Sequence, residues 1–443
     1  MIENHRMVSF VVVIFIFTPR LLYSQAFTLQ QCMEIAGNDN KSINIADENR
    51  IQKQLEFQQA KSIFVPSINI SNQHNISTGR VLDPTTYQFL TNRTVYDMST
   101  TIGISMTIFS GFERFHRVKK AELNVADAET DLEKTKNSLK LEVIRLFLEI
   151  LMDKEAIEIC DNKIGLLEKQ EDLIAKKVEY QAATQGDLMN IQADIMRAQV
   201  DRSAAFSELY LDKVSMCELL EIDDWEHFDV VFDEDPEAPR MWSSSDVFIY
   251  ASGLPQIRKK EISVEMAKRD AKIASSSFWP TIKLNAGYGT TFSNARIKSS
   301  GEDYNFYDQL RDNMSSYVSL SLNFPILSAI TTSHAVKARK YAVRTSELEL
   351  QRTLTALDKE VKQAVVQVNT AYEKYRLLEK EVEKDSEALR QTEVKYNCGA
   401  ATYYDYQIAV GNLFQAQAER IQAQYEYIYR TKIMDYYSGN LLY

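Results

Sequence analysis

Four cysteines, five histidines and one crowded run of carboxylates are the side chains best equipped for chemistry in this 443-residue chain. Cys32, Cys160, Cys217 and Cys398 stand far apart, with no C-x-x-C spacing. They read as free thiols, buried or partly buried on helices, although an exported chain leaves three disulfide pairings open. No histidine has the neighbours that a zinc site requires. Residues 223–237, DDWEHFDVVFDEDPE, hold eight carboxylates. Their order is not that of a calcium loop, and the run reads as a solvated linker. No G-x-S-x-G, H-E-x-x-H, phosphate-binding loop or paired-carboxylate arrangement occurs. Neither enzyme activity nor a metal or cofactor is expected. The net charge of −11 also lacks the broad basic footprint of a nucleic-acid binder.

The elements that hold the remaining candidates are long helices. Proline breaks a helix interior at about 3 kcal/mol, and none falls between Pro84 and Pro236 or after Pro325. In the second gap Leu350, Leu354, Leu357, Val361, Ala364, Val368, Ala371, Tyr375, Leu378 and Val382 alternate steps of four and three, a heptad seam. In the first, Val118, Val125, Leu132, Leu139 and Leu146 recur every seven. A helix over residues 113–180 is ~100 Å long at 1.5 Å per residue, more than a globular core accommodates. The pattern predicts a coiled-coil tube or rod.

The chain is duplicated. SIFVPSINIS (62–71) answers SSFWPTIKLN (276–285), and SMTIFSGF (105–112) answers SLNFPILS (321–328). VEYQAATQGDLMNIQADIMRAQ (178–199) answers VKYNCGAATYYDYQIAVGNLFQAQ (394–417). Residues 26–222 and 253–443 are the two repeats, joined by an acidic linker at 223–252. Each repeat reads leading helix (28–63, 254–278), strand, loop, strand, long helix, tip (182–187, 398–405) and returning helix (187–222, 405–437). A leading and a returning helix end to end match one long helix, which places the linker midway along a shared cylinder.

Four strands, at 65–73, 99–109, 280–290 and 316–325, alternate with a period of two. Ile68 and Ile70, then Ile102, Ile104, Met106 and Ile108, then Ile282, Leu284, Ala286 and Tyr288, and Val318, Leu320, Leu322 and Phe324 form the apolar set. Ser319, Ser321, Asn323, Lys283 and Asn285 belong to the polar one. Each strand has the ~9–11 residues that cross a bilayer in a barrel, apolar side to lipid and polar side to the lumen. The alternative is a half-exposed sheet packed on the helices. Long polar loops at 72–97 and 291–315 suit the outer side of a barrel. Four strands do not close one, so the barrel must be shared between chains.

The start of the chain reads as a secretory signal. Residues 7–17, MVSFVVVIFIF, are apolar and too short to span as a helix. Ser24 and Ala26 offer cleavage near Ser24–Gln25 or Ala26–Phe27, and Met7 is an alternative start. Asn75, Asn92 and Asn313 lie in chance N-x-S/T triplets. Tyr425, Tyr427, Tyr429, Tyr436 and Tyr437 read as helix-interface packing.

These features together resemble the TolC-like outer-membrane factors over essentially the whole mature chain. The resemblance rests on the duplication, the placement of the strand pairs and the Y-x-x-G-x-x-T-x-x-D turn at Tyr396, Gly399, Thr402 and Asp405. GRVLDPTTYQF (79–89) and DQLRDNMSSYVSLSLNFPI (308–326) look like versions common in Bacteroidetes members. The resemblance implies a mainly α fold with a small β part: a homotrimer whose 12-strand transmembrane β-barrel, in outer-membrane lipid, continues into a 12-helix α-barrel. It implies the passive exit duct of a tripartite efflux pump, with a periplasmic adaptor and an inner-membrane RND or ABC transporter. Alternatives are a type I secretion duct of the same fold and, in another class, a coiled-coil surface rod or adhesin.

The resemblance also implies a periplasmic gate at the tips, with Tyr396 as its tyrosine. Gly399 suits a reversal at positive φ. Thr402 or Asp405 caps the next helix, and Asp405 with Asp187 rings the constriction and favours cations. Ala401 stands where a well-studied branch has a basic locking residue, and Ile408 where it has a second lumenal carboxylate. The closed state is then expected to rest on packing. In the first repeat Ala183 takes the place of glycine in a turn about two residues shorter.

Overall fold

A computed structural model describes residues 26–231, 242–297, 302–326 and 329–440. The signal segment, residues 232–241 of the acidic linker and the Leu327 end of the last strand motif lie outside them. The described chain opens with a short strand, β1 (Ala26–Phe27), then α1 (Leu29–Asp39) and α2 (Lys41–Lys61). A 3-10 turn leads into β2 (Ser67–Leu82) and β3 (Phe89–Ser110), then α3 (Glu113–Glu179), α4 (Gln185–Leu220) and a short β4 (Asp229–Val230). The second repeat runs α5 (Ser244–Ala251), α6 (Pro255–Ser276), β5 (Thr281–Ser293), α7 (Phe306–Asp312), β6 (Ser315–Asn323), α8 (Ala329–Asn397) and α9 (Tyr403–Tyr437).

Helices and strands share one order. The sheet runs β2-β3-β5-β6, all antiparallel. The helices that feed these strands pack in the same sequence, α2 on α3, α3 on α6 and α6 on α8. Each strand therefore continues the helix beside it. Further from the sheet α4 packs on α3, α3 on α9 and α9 on α8. Thus α4 takes the place of α2, and α9 that of α6. At either level the chain is a layer four elements wide with two open sides.

Register puts the two chemistries of the sheet on opposite faces. Partners in a ladder share a face. Ile68 faces Ile104, Ile70 faces Ile102 and Ile104 faces Ala286. Met106 faces Leu284, Leu284 faces Leu320, and Ile282 faces Leu322. On the other face Ser67 lies opposite Ser105, Ser105 opposite Asn285, Asn285 opposite Ser319, and Lys283 between Thr107 and Ser321. A bulge around Ile108 brings Phe109 opposite Ile282. The turn from β3 into α3 needs a glycine. Gly111 has φ +63°, and a Cβ there would meet Ser276 O at 2.5 Å.

Several boundaries differ from the sequence reading. The predicted 72–97 loop is ladder to Leu82 and Phe89. Its polar partners, Asn75 with Asp97 (2.8 Å) and His74 with Tyr96, hide an extended hairpin from any hydrophobic pattern. Strands β2 and β3 therefore run 16 and 22 residues, well beyond the length predicted. Phe324 lies just past β6, whose last pair is Asn323 with Thr281. Pro325 and Pro280, which have no N–H to give a ladder, bracket that end. The leading helix of the first repeat is broken at Asn40. Its side chain accepts from Ser42 N–H (2.8 Å) and donates to Leu219 O (2.9 Å).

The acidic linker is not wholly solvated. β4 pairs in parallel with β1, Phe228 stacks on Phe27 at 5.3 Å, and Asp229 receives Lys154 at 3.0 Å and Lys213 at 3.6 Å. This belt caps the largest apolar cluster, built from Phe147, Ile150, Met216 and Leu220. All four cysteines are free; Cys32 and Cys217 are buried there and Cys160 is half-buried, but Cys398 is exposed, contrary to expectation.

Beside this belt Asp153 is 6 % exposed, and its Oδ2 has no hydrogen-bond partner. Burial, then the charges of Asp212, Glu208 and Glu149, push its carboxyl up to about 7. A group raised in the fold costs stability as it ionises, at about 1.4 kcal/mol per pH unit. The cost begins above the ordinary value of 3.8 and is complete past about 7. Asp153→Asn is expected to gain thermal stability relative to the parent as pH rises from 4 to 8, by up to about 4 kcal/mol. A gap between the two melting curves that does not change with pH would contradict the assignment.

Candidate functional site

The ends of the two helical hairpins carry the predicted gate residues. The two turns are the same length. Five residues, 180–184, separate α3 from α4, and five, 398–402, separate α8 from α9. Ala182 N–H donates to Lys177 O at 2.7 Å, and Ala400 N–H to Lys395 O at 2.8 Å. Gln181 N–H reaches Val178 O at 3.0 Å, as Gly399 N–H reaches Tyr396 O at 3.1 Å. The repeats are therefore offset here by 218 residues. Gln181 (φ 58°), not Ala183, occupies the place of Gly399 (φ 75°). The shorter first turn expected from the sequence is an error of alignment, since glutamine at positive φ gives no sequence signal.

Both turns end in the same cap. Thr402 Oγ1 accepts from Asp405 N–H (3.2 Å) and donates to Asp405 Oδ2 (2.6 Å), which also accepts from Thr402 N–H (2.9 Å). Thr184 and Asp187 repeat this at 3.1, 2.7 and 3.0 Å. These capping boxes satisfy donors that a helix start leaves bare. The Thr402 hydroxyl and N–H hold the Asp405 carboxyl below its usual range.

Tyr396 joins the two hairpins of the chain. It is half-buried, stacked on Tyr406 at 5.7 Å and edge-on to Tyr403 at 6.3 Å. Lys177 of α3 sits 4.5 Å from its ring centre. Burial and the charge of Asp187 raise its hydroxyl pKa. Ala401 and Ile408 make no polar contact here.

A polar tie that sequence reasoning missed lies just inside the tips. Asp194 of α4 is 7 % exposed. Its Oδ2 accepts from Tyr403 Oη at 3.0 Å and Gln407 Nε2 at 2.7 Å, both on α9, and its Oδ1 pairs with Arg197 at 2.8 Å. Burial, and then the bond to Asp194, raise the Tyr403 hydroxyl pKa. The sequence held a signal: Asp194 interrupts the buried stripe Ile191, Ile195 and Ala198. A carboxylate at that helical spacing needs a partner. Packing between the two hairpins of the chain is supplemented here by a charge-assisted network.

Comparisons with known proteins agree with this architecture. A model of the outer membrane efflux protein family matches residues 36–214 and again 252–431, once per repeat. The chain is 20% identical over 402 residues to outer membrane protein TolC of Vibrio cholerae, covering 88% of this chain and 85% of that one. It is 21% identical over 389 residues to the alkaline protease secretion protein AprF of Pseudomonas aeruginosa, covering 86% and 78%. The solved outer membrane protein VceC of Vibrio cholerae superposes with a TM-score of 0.78 at 15% identity, over 94% of this chain and 97% of that one.

Left-handed backbone costs a residue with a Cβ about 1–2 kcal/mol. Gln181→Gly is therefore expected to stabilise its tip, slowing amide exchange at Ala182 and Asp187. Thr402→Ala removes a cap contributing about 1 kcal/mol and should speed exchange at Asp405 roughly fivefold. Unchanged exchange in both variants would refute the cap assignments.

Proposed function

The chain belongs to the outer membrane efflux protein family, and is an outer-membrane channel of a tripartite efflux or secretion system; on that premise we propose that three copies close one duct. The sheet carries the argument. Its outer strands β2 and β6 pair on one side only. β6 runs antiparallel to β5 and β2 to β3, so a neighbour's β2 continues β6 in the same alternation. Three sheets then give twelve strands, within the range of membrane barrels.

The helices support the same closure. Met189, Met196, Val200 and Leu211 on α4 are 61 to 68 % exposed, at one open side of the layer. Tyr341, Val366 and Leu377 on α8 are comparably exposed at the other. A neighbour's α8 laid on α4 covers the α4 stripe with Val366 and Leu377, and Tyr341, nearer the sheet, meets that chain's α2. In this arrangement Val318, Leu320, Leu322, Ile102, Ile104, Met106, Ile282 and Leu284 face lipid. Ser319, Ser321, Asn323, Lys283 and Asn285 face the lumen. Phe324, beyond the ladder, lies at the boundary.

The duct is passive. Its tips, with Tyr396, Gly399, Thr402, Asp405 and Asp187, meet a periplasmic adaptor and form the gate, and an inner-membrane RND or ABC transporter supplies the energy. The Asp194 tie holds the two hairpins of one chain together and opposes opening. Efflux is the reading that the family description favours. The name of AprF favours the secretion reading, and the adaptor and transporter that co-purify after cross-linking decide between them. A surface rod would have no use for a sheet with one lipid-compatible face.

Two substitutions test this. Leu320→Asp puts a charge on the lipid face near mid-bilayer, at a cost somewhat below the about 2–4 kcal/mol of a lysine or arginine there, and should abolish assembled channels in the outer membrane. Asp194→Ala leaves the buried Tyr403 hydroxyl unpaired, at a cost of about 1–3 kcal/mol, and should raise single-channel conductance in planar bilayers. Normal channel yield in the first, or parental conductance in the second, would count against the strand face and the tie respectively.

A further inference from the structure

Where the sheet meets the helices, the polar face holds two cations, Lys283 and Arg114, with no carboxylate partner among the described residues. Lys283 projects from β5 between Thr107 and Ser321. Beside it the first turn of α3 and the chain entering β2 enclose a concavity of about 570 Å³, lined among others by Ser105, Thr107, Arg114, Lys283 and the ion pair of Glu113 with Arg117. Arg114 is held in place: its guanidinium donates to Thr107 O and lies 4.8 Å from the Phe64 ring centre. Among the described residues neither Lys283 nor Arg114 has a carboxylate partner. The nearby Arg117 is neutralised by Glu113 at 2.6 Å.

The charge of Arg114 is not one that a helix start favours. The start of a helix carries partial positive charge, which a cation in its first turn opposes. Arg114 sits in that turn of α3, and Lys283 stands across from it. The repeat shows that the fold does not require either. In the duplicated sequence Asn69 answers Lys283, and Ile330 answers Arg114. The cations belong to one half only, on the face proposed to line the lumen.

We propose that this junction is a binding site for the anionic groups, carboxylate or phosphate, of solutes passing through the duct. The inference rests on the trimeric reading, which multiplies Lys283 and Arg114 into a ring at the floor of the barrel. A planar guanidinium fixed by stacking takes a carboxylate or phosphate by paired N–H bonds, and Lys283 adds an adjustable point charge. Serine and threonine hydroxyls on the same face supply further donors.

Inorganic phosphate is the probe, added to the extracellular side of channels in planar bilayers bathed in potassium chloride. Phosphate should reduce the current of the parent protein. Lys283→Gln should raise the half-blocking concentration about tenfold, the loss of one charge-assisted bond, and move the reversal potential in a salt gradient toward cations. Lys283→Arg should restore block, and Arg114→Gln should weaken it. Block and selectivity unmoved by Lys283→Gln and Arg114→Gln, in channels of parental conductance, would overturn the site alone. No conductance from the parent protein would overturn the duct reading beneath it.

Discussion

The backbone groups along the outer edges of β2 and β6 set the terms for the rest of this chain. In hydrocarbon each unpaired N–H or C=O costs several kcal/mol, and only closed sheets or helices avoid that cost. A sheet of four strands whose helix-proximal half has one apolar face has a side suited to lipid and two edges that are not. Pairing edge to edge with further copies removes the difficulty. It also fixes the helical part, because every strand continues a helix in the same lateral order. The open sides of the helical layer and of the sheet are then closed by one operation.

Duplication makes this economical. One sequence plan, used twice, supplies both halves of the layer and both tips. The tips share their turn and capping hydrogen bonds, yet the surroundings differ. The second tip holds three clustered tyrosines, while the first supplies Lys177 over the Tyr396 ring and Asp194 to accept from Tyr403. Local turn geometry is thus common to both hairpins, and the contact between hairpins is specific.

Most of the architecture was legible because it depends on periodicity. The heptad residues Leu357, Val361, Val368 and Leu378 are buried as their spacing requires, and the alternating strands fall into one register. What escaped has no period. The extension of β2 and β3 is held by polar pairs such as Asn75 with Asp97. The break at Asn40 depends on a carbonyl contributed by α4, from the far end of the repeat. The alignment of the first tip depends on Gln181 adopting a conformation that glutamine seldom takes. Among the tip residues, the Thr402 and Asp405 cap was readable from the T-x-x-D spacing of the turn. The Asp194 tie needed the packing of α4 against α9, and only the interruption of an apolar stripe pointed to it.

The central claim is that the barrel is completed between chains. The most direct test is the native mass of the particle extracted by detergent from fractionated membranes, with lipid and detergent accounted for. Closure of twelve strands predicts an outer-membrane particle of three chains. A monomer, or a dimeric rod in the soluble periplasmic fraction, would contradict it, and the apolar face of the sheet would then need another cover.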